Sequence, residues 1–125
     1  MITLITGLPN AGKTTYSARY ENVIHLDDFP QVGDGGKYDR CNRQAAALEN
    51  AVVEGVYNTT ELRSQLLKVC AEHDRKVCVW MDTPAEICKQ RENRGRPTAI
   101  VDVHEKMFQP PTLDEGWDEI VVVKG

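Results

Sequence analysis

An α/β fold, with a parallel sheet of about five strands held between helices in three layers, is what this sequence predicts. Three observations carry that reading. Short apolar, β-branched runs alternate with longer segments of helical spacing, the pattern of strands joined by right-handed crossovers. The first run opens without a gap into a glycine-rich loop and then a helix. The 125 residues, 41% hydrophobic and 27% charged, suit one core and one domain spanning 1–125.

Each element has its own signal. Residues 2–6 (Ile-Thr-Leu-Ile-Thr) form a buried strand, and the chain after Gly7 turns into a helix running to about Tyr20. Residues 23–26 read as a second strand. Pro30, Gly33, Gly35 and Gly36 mark a mobile loop over 29–37. A helix over about 38–50 follows, with Ala45, Leu48 and Val52 on one face, then a third strand at 51–54. Asn58 and Glu61 suggest a capped helix over about 60–73, ahead of a fourth strand at 76–81. Thr83-Pro84-Ala85-Glu86 places Thr at an N-cap and Pro at the first helical position, and that helix should run to near Gly95. Residues 101–108 are expected as a further helix stopped by Pro110-Pro111, and 120–123 as the last strand. Trp80 and Trp117 are expected in the core.

Charge and cysteine content narrow the partners. Fifteen basic residues against nineteen acidic give a net charge of -4, whereas a protein gripping nucleic acid by bulk charge would be basic. Any nucleic acid must therefore meet a local patch, for which Lys37, Arg40 and Arg43, interleaved with Tyr38, are candidates. Cys41, Cys70, Cys78 and Cys88 lack metal-ligand spacing and read as buried, reduced thiols. Apolar runs of about four residues are too short for a membrane span. The first seven residues carry no signal-peptide pattern, so a cytoplasmic location with no membrane partner is expected.

The strongest motif is Gly7-Leu8-Pro9-Asn10-Ala11-Gly12-Lys13-Thr14, a gapless GxxxxGK[ST] between a strand and a helix. Gly7 and Gly12 let backbone N–H groups turn around a phosphate. Pro9, Asn10, Ala11 and Thr15 complete the nucleotide-binding loop, whose following helix adds a favourable dipole. Lys13 would reach the β- and γ-phosphates, and the Thr14 hydroxyl would ligate Mg²⁺. This identifies the P-loop NTPase fold. No NKxD sequence follows, which argues against a guanine-selective GTPase, and the chain is short for a motor or AAA-type ATPase.

A kinase acting on a hydroxyl also needs a carboxylate and cations. Asp27 and Asp28 follow the second strand, at the carboxyl end of the sheet where ligands bind. In an extended segment adjacent side chains point opposite ways, so one should face the cleft, and Asp27 is favoured as the base. Lys89, Arg91, Arg94 and Arg96 crowd one helix end and the following loop, an Arg-rich lid. Arg91 and Arg94 would share a helix face, with Arg94 the first choice for the transferring phosphoryl group. Glu54 ends the third strand and is a candidate to organise Mg²⁺ or contact substrate. Asp82 is assigned a structural role beside Thr83. His25, His73 and His104 show no partner spacing.

Taken together, the loop over residues 7–15, the Leu26-Asp27-Asp28-Phe29 turn, and Lys89-Gln90-Arg91-Glu92-Asn93-Arg94-Gly95 resemble the kinase domain of polynucleotide 5′-hydroxyl kinases. The resemblance extends over residues 107–120 and so covers essentially the whole chain. It implies that Asp27 is the general base and Arg94 the lid arginine, with ATP and Mg²⁺ as cofactors. Three places depart from the family. His25-Leu26 stand where it has Asn-Arg, Pro30 where it has an arginine, and Glu54-Gly55-Val56-Tyr57-Asn58 where it has Asp-x-Thr-Asn. Its phosphatase or ligase partner domain has no counterpart in these residues. The catalytic engine looks kept and the acceptor pocket changed. A related phage group that phosphorylates hydroxymethyl pyrimidines in DNA is similar too, which would place the protein in a host cytoplasm.

The expectation is an ATP-dependent phosphotransferase with a hydroxyl of a nucleic acid or nucleotide as acceptor. A small-metabolite kinase, or a nucleotide-binding module acting through a partner, are the alternatives.

Overall fold

The computed structural model describes residues 1–31 and 36–125. Its centre is β1 (Ile2–Gly7), a run buried at every position, as a strand flanked on both sides and covered on both faces must be. β3 (Ala51–Glu54) and β4 (Lys76–Asp82) pair with it in parallel, β2 (Ile24–His25) lies outside β3, and β5 (Glu119–Lys124) lies outside β4. The order β2-β3-β1-β4-β5 is that of a doubly wound sheet.

Alternation along β1 divides the core into two. Ile2 and Leu4 face one side with Val53, Leu26, Tyr57 and Trp117, under α2 (Gly36–Ala46) and α3 (Thr60–Val69). Ile5 faces the other with Val79 and Met81, under α4 (Ala85–Gln90) and α5 (Ala99–Met107). α1 (Lys13–Ser17) covers the same side through Tyr16. The four cysteines are buried and free, and burial pushes their thiols up, Cys70 to about 11 and Cys78 to about 12. No helix among the described residues is long and apolar enough to cross a membrane.

Several elements differ from expectation, each for a local reason. α2 stops at Ala46, leaving Leu48 exposed, because the chain must turn back into β3 beside β1. α3 is capped by Thr59, whose side chain accepts from the Leu62 N–H at 3.2 Å, so Asn58 is not the cap. α4 ends at Gln90 rather than near Gly95. Thr83 does not cap it: the Thr83 hydroxyl donates to the Ala11 carbonyl at 2.8 Å and ties the start of α4 to the glycine-rich loop. Trp117 is buried, but Trp80 is half-buried and stacks on Phe108 with ring centroids 5.8 Å apart. Gly33 and Gly35 of the expected loop lie outside the described residues.

Buried Arg63 holds the far end of the chain in place. Its guanidinium makes a two-pronged contact with Glu115 (2.7 and 3.0 Å) and donates to the carbonyls of Tyr57 and Gln109. One side chain thus pins the segment after β3, α3 and the 109–117 stretch to one another. Glu115 also accepts from the Thr112 N–H and Trp117 Nε1. Burial opposes its ionisation, but these hydrogen bonds outweigh burial and hold the carboxyl below its ordinary value.

Candidate active site

β1 delivers the chain into the loop at the carboxyl edge of the sheet. Gly7 is required there because it lies beside Met81 in the β1–β4 register. A Cβ would sit 2.8 Å from the Met81 carbonyl and 3.1 Å from its Cβ. Gly12, at φ 101°, turns the chain into α1. Between them Asn10 is held left-handed (φ 66°), and its amide donates to the Cys88 carbonyl and to Glu92. Lys13 is buried, and its Nζ donates to the carbonyls of Gly7 (3.1 Å) and Leu8 (2.7 Å). Burial lowers its pKa to about 8, against the pull of Glu54 and Asp27.

Strand register brings Glu54 to the same edge. Glu54 lies between Ile5 of β1 and His25 of β2, and its Oε1 meets His25 Nδ1 at 2.8 Å and the Thr14 hydroxyl at 3.4 Å. A buried carboxylate beside the Thr14 hydroxyl is a set of hard oxygen donors, the kind Mg²⁺ takes alongside phosphate oxygens and water. The residues present therefore fit Mg²⁺. Among the described residues no group of three or more acidic, His or Cys side chains is gathered to hold a metal.

Two cavities open along this edge. The first, of about 500 Å³, is lined by Asn10 to Thr15, Tyr16, Arg19, Met81, Arg91, Arg94 and the end of β5. Arg19 stacks 3.7 Å over the Tyr16 ring on its wall. The second, of about 200 Å³, lies between the loop, Asp27, Lys37, Tyr38, Glu54, Arg94, Arg96 and His104. Asn10, Lys13 and Arg94 line both.

The sequence-predicted residues divide between these walls. Asp27 lines the smaller cavity, 3.5 Å from Lys37 Nζ, and Asp28 does not. The expected reason was wrong, however. Leu26, Asp27 and Asp28 form a 3₁₀ turn rather than an extended strand, in which Leu26 is buried and Asp27, its side chain 72% exposed, borders the smaller cavity. Arg91 and Arg94 do not share a helix face, since α4 has ended. They meet the loop because Glu92 organises residues 91–96. It accepts from Asn10, from the N–H groups of Arg94 (2.8 Å) and Arg96 (3.2 Å), and from the Arg96 side chain. Asn10 above all, then these donors, hold the Glu92 carboxyl down to about 2. Lys89 is drawn away to Asp102 at 2.7 Å and Glu86.

Other candidates sit elsewhere. Asp82 is engaged by Lys124. The residues suggested as a local patch, Lys37, Arg40 and Arg43 with Tyr38, all lie on α2. Lys37 faces Asp27, Arg43 pairs with Asp39 at 3.0 Å, and Tyr38 turns inward to the Val56 carbonyl at 2.6 Å. Arg96, one of the clustered cations, and His104, which carries no spacing signal, both line the smaller cavity, while Glu92, which sequence reasoning missed, is bound to Asn10 and Arg96 without lining either cavity. No spacing rule marks them, because their partners Asn10 and Asn58 are tens of residues away.

No protein-family model matches the chain. Solved structures do. A gluconokinase from Sinorhizobium meliloti 1021 superposes with a TM-score of 0.72 at 14% identity, over 98% of this chain and 81% of that one. A sugar kinase from Janibacter sp. HTCC2649 gives 0.69 at 16%, over 98% and 84%. Kti12 from Chaetomium thermophilum, in complex with ADP-AlF3, gives 0.69 at 12%, over 99% and 89%. At such identities the likeness is one of fold, the P-loop NTPase fold of these kinases.

Proposed function

We propose that this chain is an ATP-dependent kinase that phosphorylates a hydroxyl group. The supporting observation is the pair of cavities that share Asn10, Lys13 and Arg94 as a common wall, with Asp27 in the smaller one. Two substrates seated there would meet where the cations stand. ATP takes the larger cavity, its phosphates on the loop of residues 7–15. Thr14 and Glu54 would hold Mg²⁺, which when bound would neutralise charge on the phosphate oxygens. The acceptor hydroxyl takes the smaller cavity and donates its hydrogen bond to Asp27. As its oxygen bonds to the γ-phosphorus, the bond from that phosphorus to the β–γ bridging oxygen breaks, and the hydroxyl proton passes to the Asp27 carboxylate. Lys13 and Arg94 stabilise the charge that develops on the transferring group.

The acceptor we favour is a hydroxyl of a nucleic acid or nucleotide, in keeping with the polynucleotide 5′-hydroxyl kinase resemblance. Lys37, Arg94 and Arg96 around the smaller cavity suit phosphate oxygens flanking a sugar. A second reading, a small polyol or sugar acid, is supported by the volume of about 200 Å³ and by the fold likeness to a gluconokinase and a sugar kinase. Labelled γ-phosphate transfer to 5′-hydroxyl DNA and RNA, hydroxymethylated DNA, nucleosides and gluconate separates the readings. Asp27→Asn should bind ATP–Mg²⁺ nearly as well as wild type by calorimetry and lose transfer, while Asp28→Asn keeps it. Lys13→Ala should lose about a hundredfold or more in turnover. Normal transfer by Lys13→Ala would refute the kinase reading.

A further inference from the structure

We propose that His104 is a specificity-determining residue of the smaller cavity, held by buried Asn58 so that its Nε2–H donates a hydrogen bond to an oxygen of the acceptor. This rests on the reading of that cavity as the acceptor site. On α5, Ile100 and His104 are four residues apart and present one face to the cavity, while buried Val101 anchors the helix. Asn58 is buried, and its Nδ2 donates to His104 Nδ1 at 2.6 Å.

The amide orientation sets the tautomer. Asn58 Oδ1 is buried without a partner among the described residues. Turning the amide over would leave two unmatched donors there in place of one acceptor, a worse arrangement. Nδ1 therefore accepts, and the ring proton sits on Nε2, for which no protein partner exists among the described residues. The support is rigid. The Gln109 N–H donates to the Asn58 carbonyl at 2.7 Å, and the Gln109 side chain accepts from the Thr60 N–H at 2.8 Å, joining the end of α5 to the Asn58 segment.

The surroundings keep the ring neutral. Burial, then the cations Lys13, Lys37 and Arg96, lower the His104 pKa, with Asp27 opposing them. Of the two carboxylates on the smaller cavity, Glu54 is engaged with Thr14 and His25, which leaves Asp27 for the reacting hydroxyl and a set of donors, His104 among them, for neighbouring oxygens. The acceptor class that fits is an alcohol with an oxygen-rich substituent beside the hydroxyl, such as a furanose ring or a phosphate ester.

Two measurements test this. Long-range ¹⁵N–¹H NMR of histidine-labelled protein reads the ring without turnover, with His104→Gln supplying the assignment. A neutral ring protonated at Nε2 is expected at neutral pH. An Nδ1–H tautomer or a charged ring would overturn the proposal whatever the acceptor proves to be. Steady-state kinetics use the acceptor that wild type phosphorylates, 5′-hydroxyl DNA first and gluconate second. His104→Ala should raise the acceptor KM about tenfold, the effect of one lost hydrogen bond, and leave the ATP KM within about twofold. His104→Gln, which can place a donor near the Nε2 position, should recover part of the loss. An unchanged acceptor KM, or an ATP KM rising in step with it, would overturn the proposal. Failure of the kinase reading shows differently, as absence of labelled product from wild type with every acceptor.

Discussion

Arg94 and Arg91 are two cations of one short segment, and only geometry ranks them. Arg94 lines both cavities, whereas Arg91 lines the larger alone and reaches the Asn10 carbonyl at 3.4 Å. Arg94→Ala should therefore lower kcat by about 10²–10³, the scale of losing one group aimed at transition-state charge. Arg94→Lys should recover little, since the ammonium lacks the planar fork. Arg91→Ala should act mainly on the ATP KM. Steady-state kinetics of the three variants decide it, and inactivation by Arg91→Ala with a neutral Arg94→Ala would reverse the ranking. Lys13 and Thr14 were legible in the chain because they close a gapless glycine-rich motif between β1 and α1, and Asp27 because it falls two residues past β2. His104 was not, because its meaning lies in Asn58, 46 residues earlier, on a different element.

At the scale of the element, the placing of residues 91–96 depends on a carboxylate rather than on helix. With α4 ending at Gln90, residues 91–96 are held to the loop of residues 7–15 by Glu92 through Asn10 and Arg96. The Glu92 carboxyl is held down to about 2, so these contacts are fully present above its ordinary value near 4.5 and are lost only as pH falls through about 2. Glu92→Ala should speed hydrogen exchange at the Arg94 and Arg96 amides by about tenfold, since both donate to that carboxylate, and leave the β1 amides unchanged. Equal protection in the variant would mean that the segment is held by other contacts. The four-cation cluster was visible in the sequence, but its division was not. Lys89 faces Asp102, and Arg96 faces Asn10 and Glu92, because α4 stops a turn early and the chain reverses direction there.

For the whole molecule, Arg63 and Glu115 close the fold around the site. Arg63→Met should cost about 3–5 kcal/mol in urea unfolding, because it leaves the Glu115 carboxylate buried without its cation. Arg63→Met with Glu115→Leu should regain much of that stability, since no lone charge is then buried. The pair also gives the protein an acid limb. The Glu115 pKa is lower folded than unfolded, so its contribution is complete above the ordinary carboxylate range and is lost as pH falls through the folded value. The double variant should lack that part of the limb.

Local chemistry was enough to establish the alternation of strands and helices, the phosphate loop and the carboxylate after the second strand. Each is a property of a few adjacent residues: β-branched runs, a gapless glycine-rich motif, an acidic pair just after a short strand. Tertiary structure alone decided which residues face one another. The β2-β3-β1 register sets Glu54 between His25 and the loop. A 3₁₀ turn, not strand alternation, brings Asp27 beside the smaller cavity. Long-range hydrogen bonds tie Glu92 to Asn10 and hold Arg96 and His104 on the wall of the smaller cavity. Such contacts follow from how the sheet edge and the helix ends converge in space, so spacing along the chain carries no signal for them.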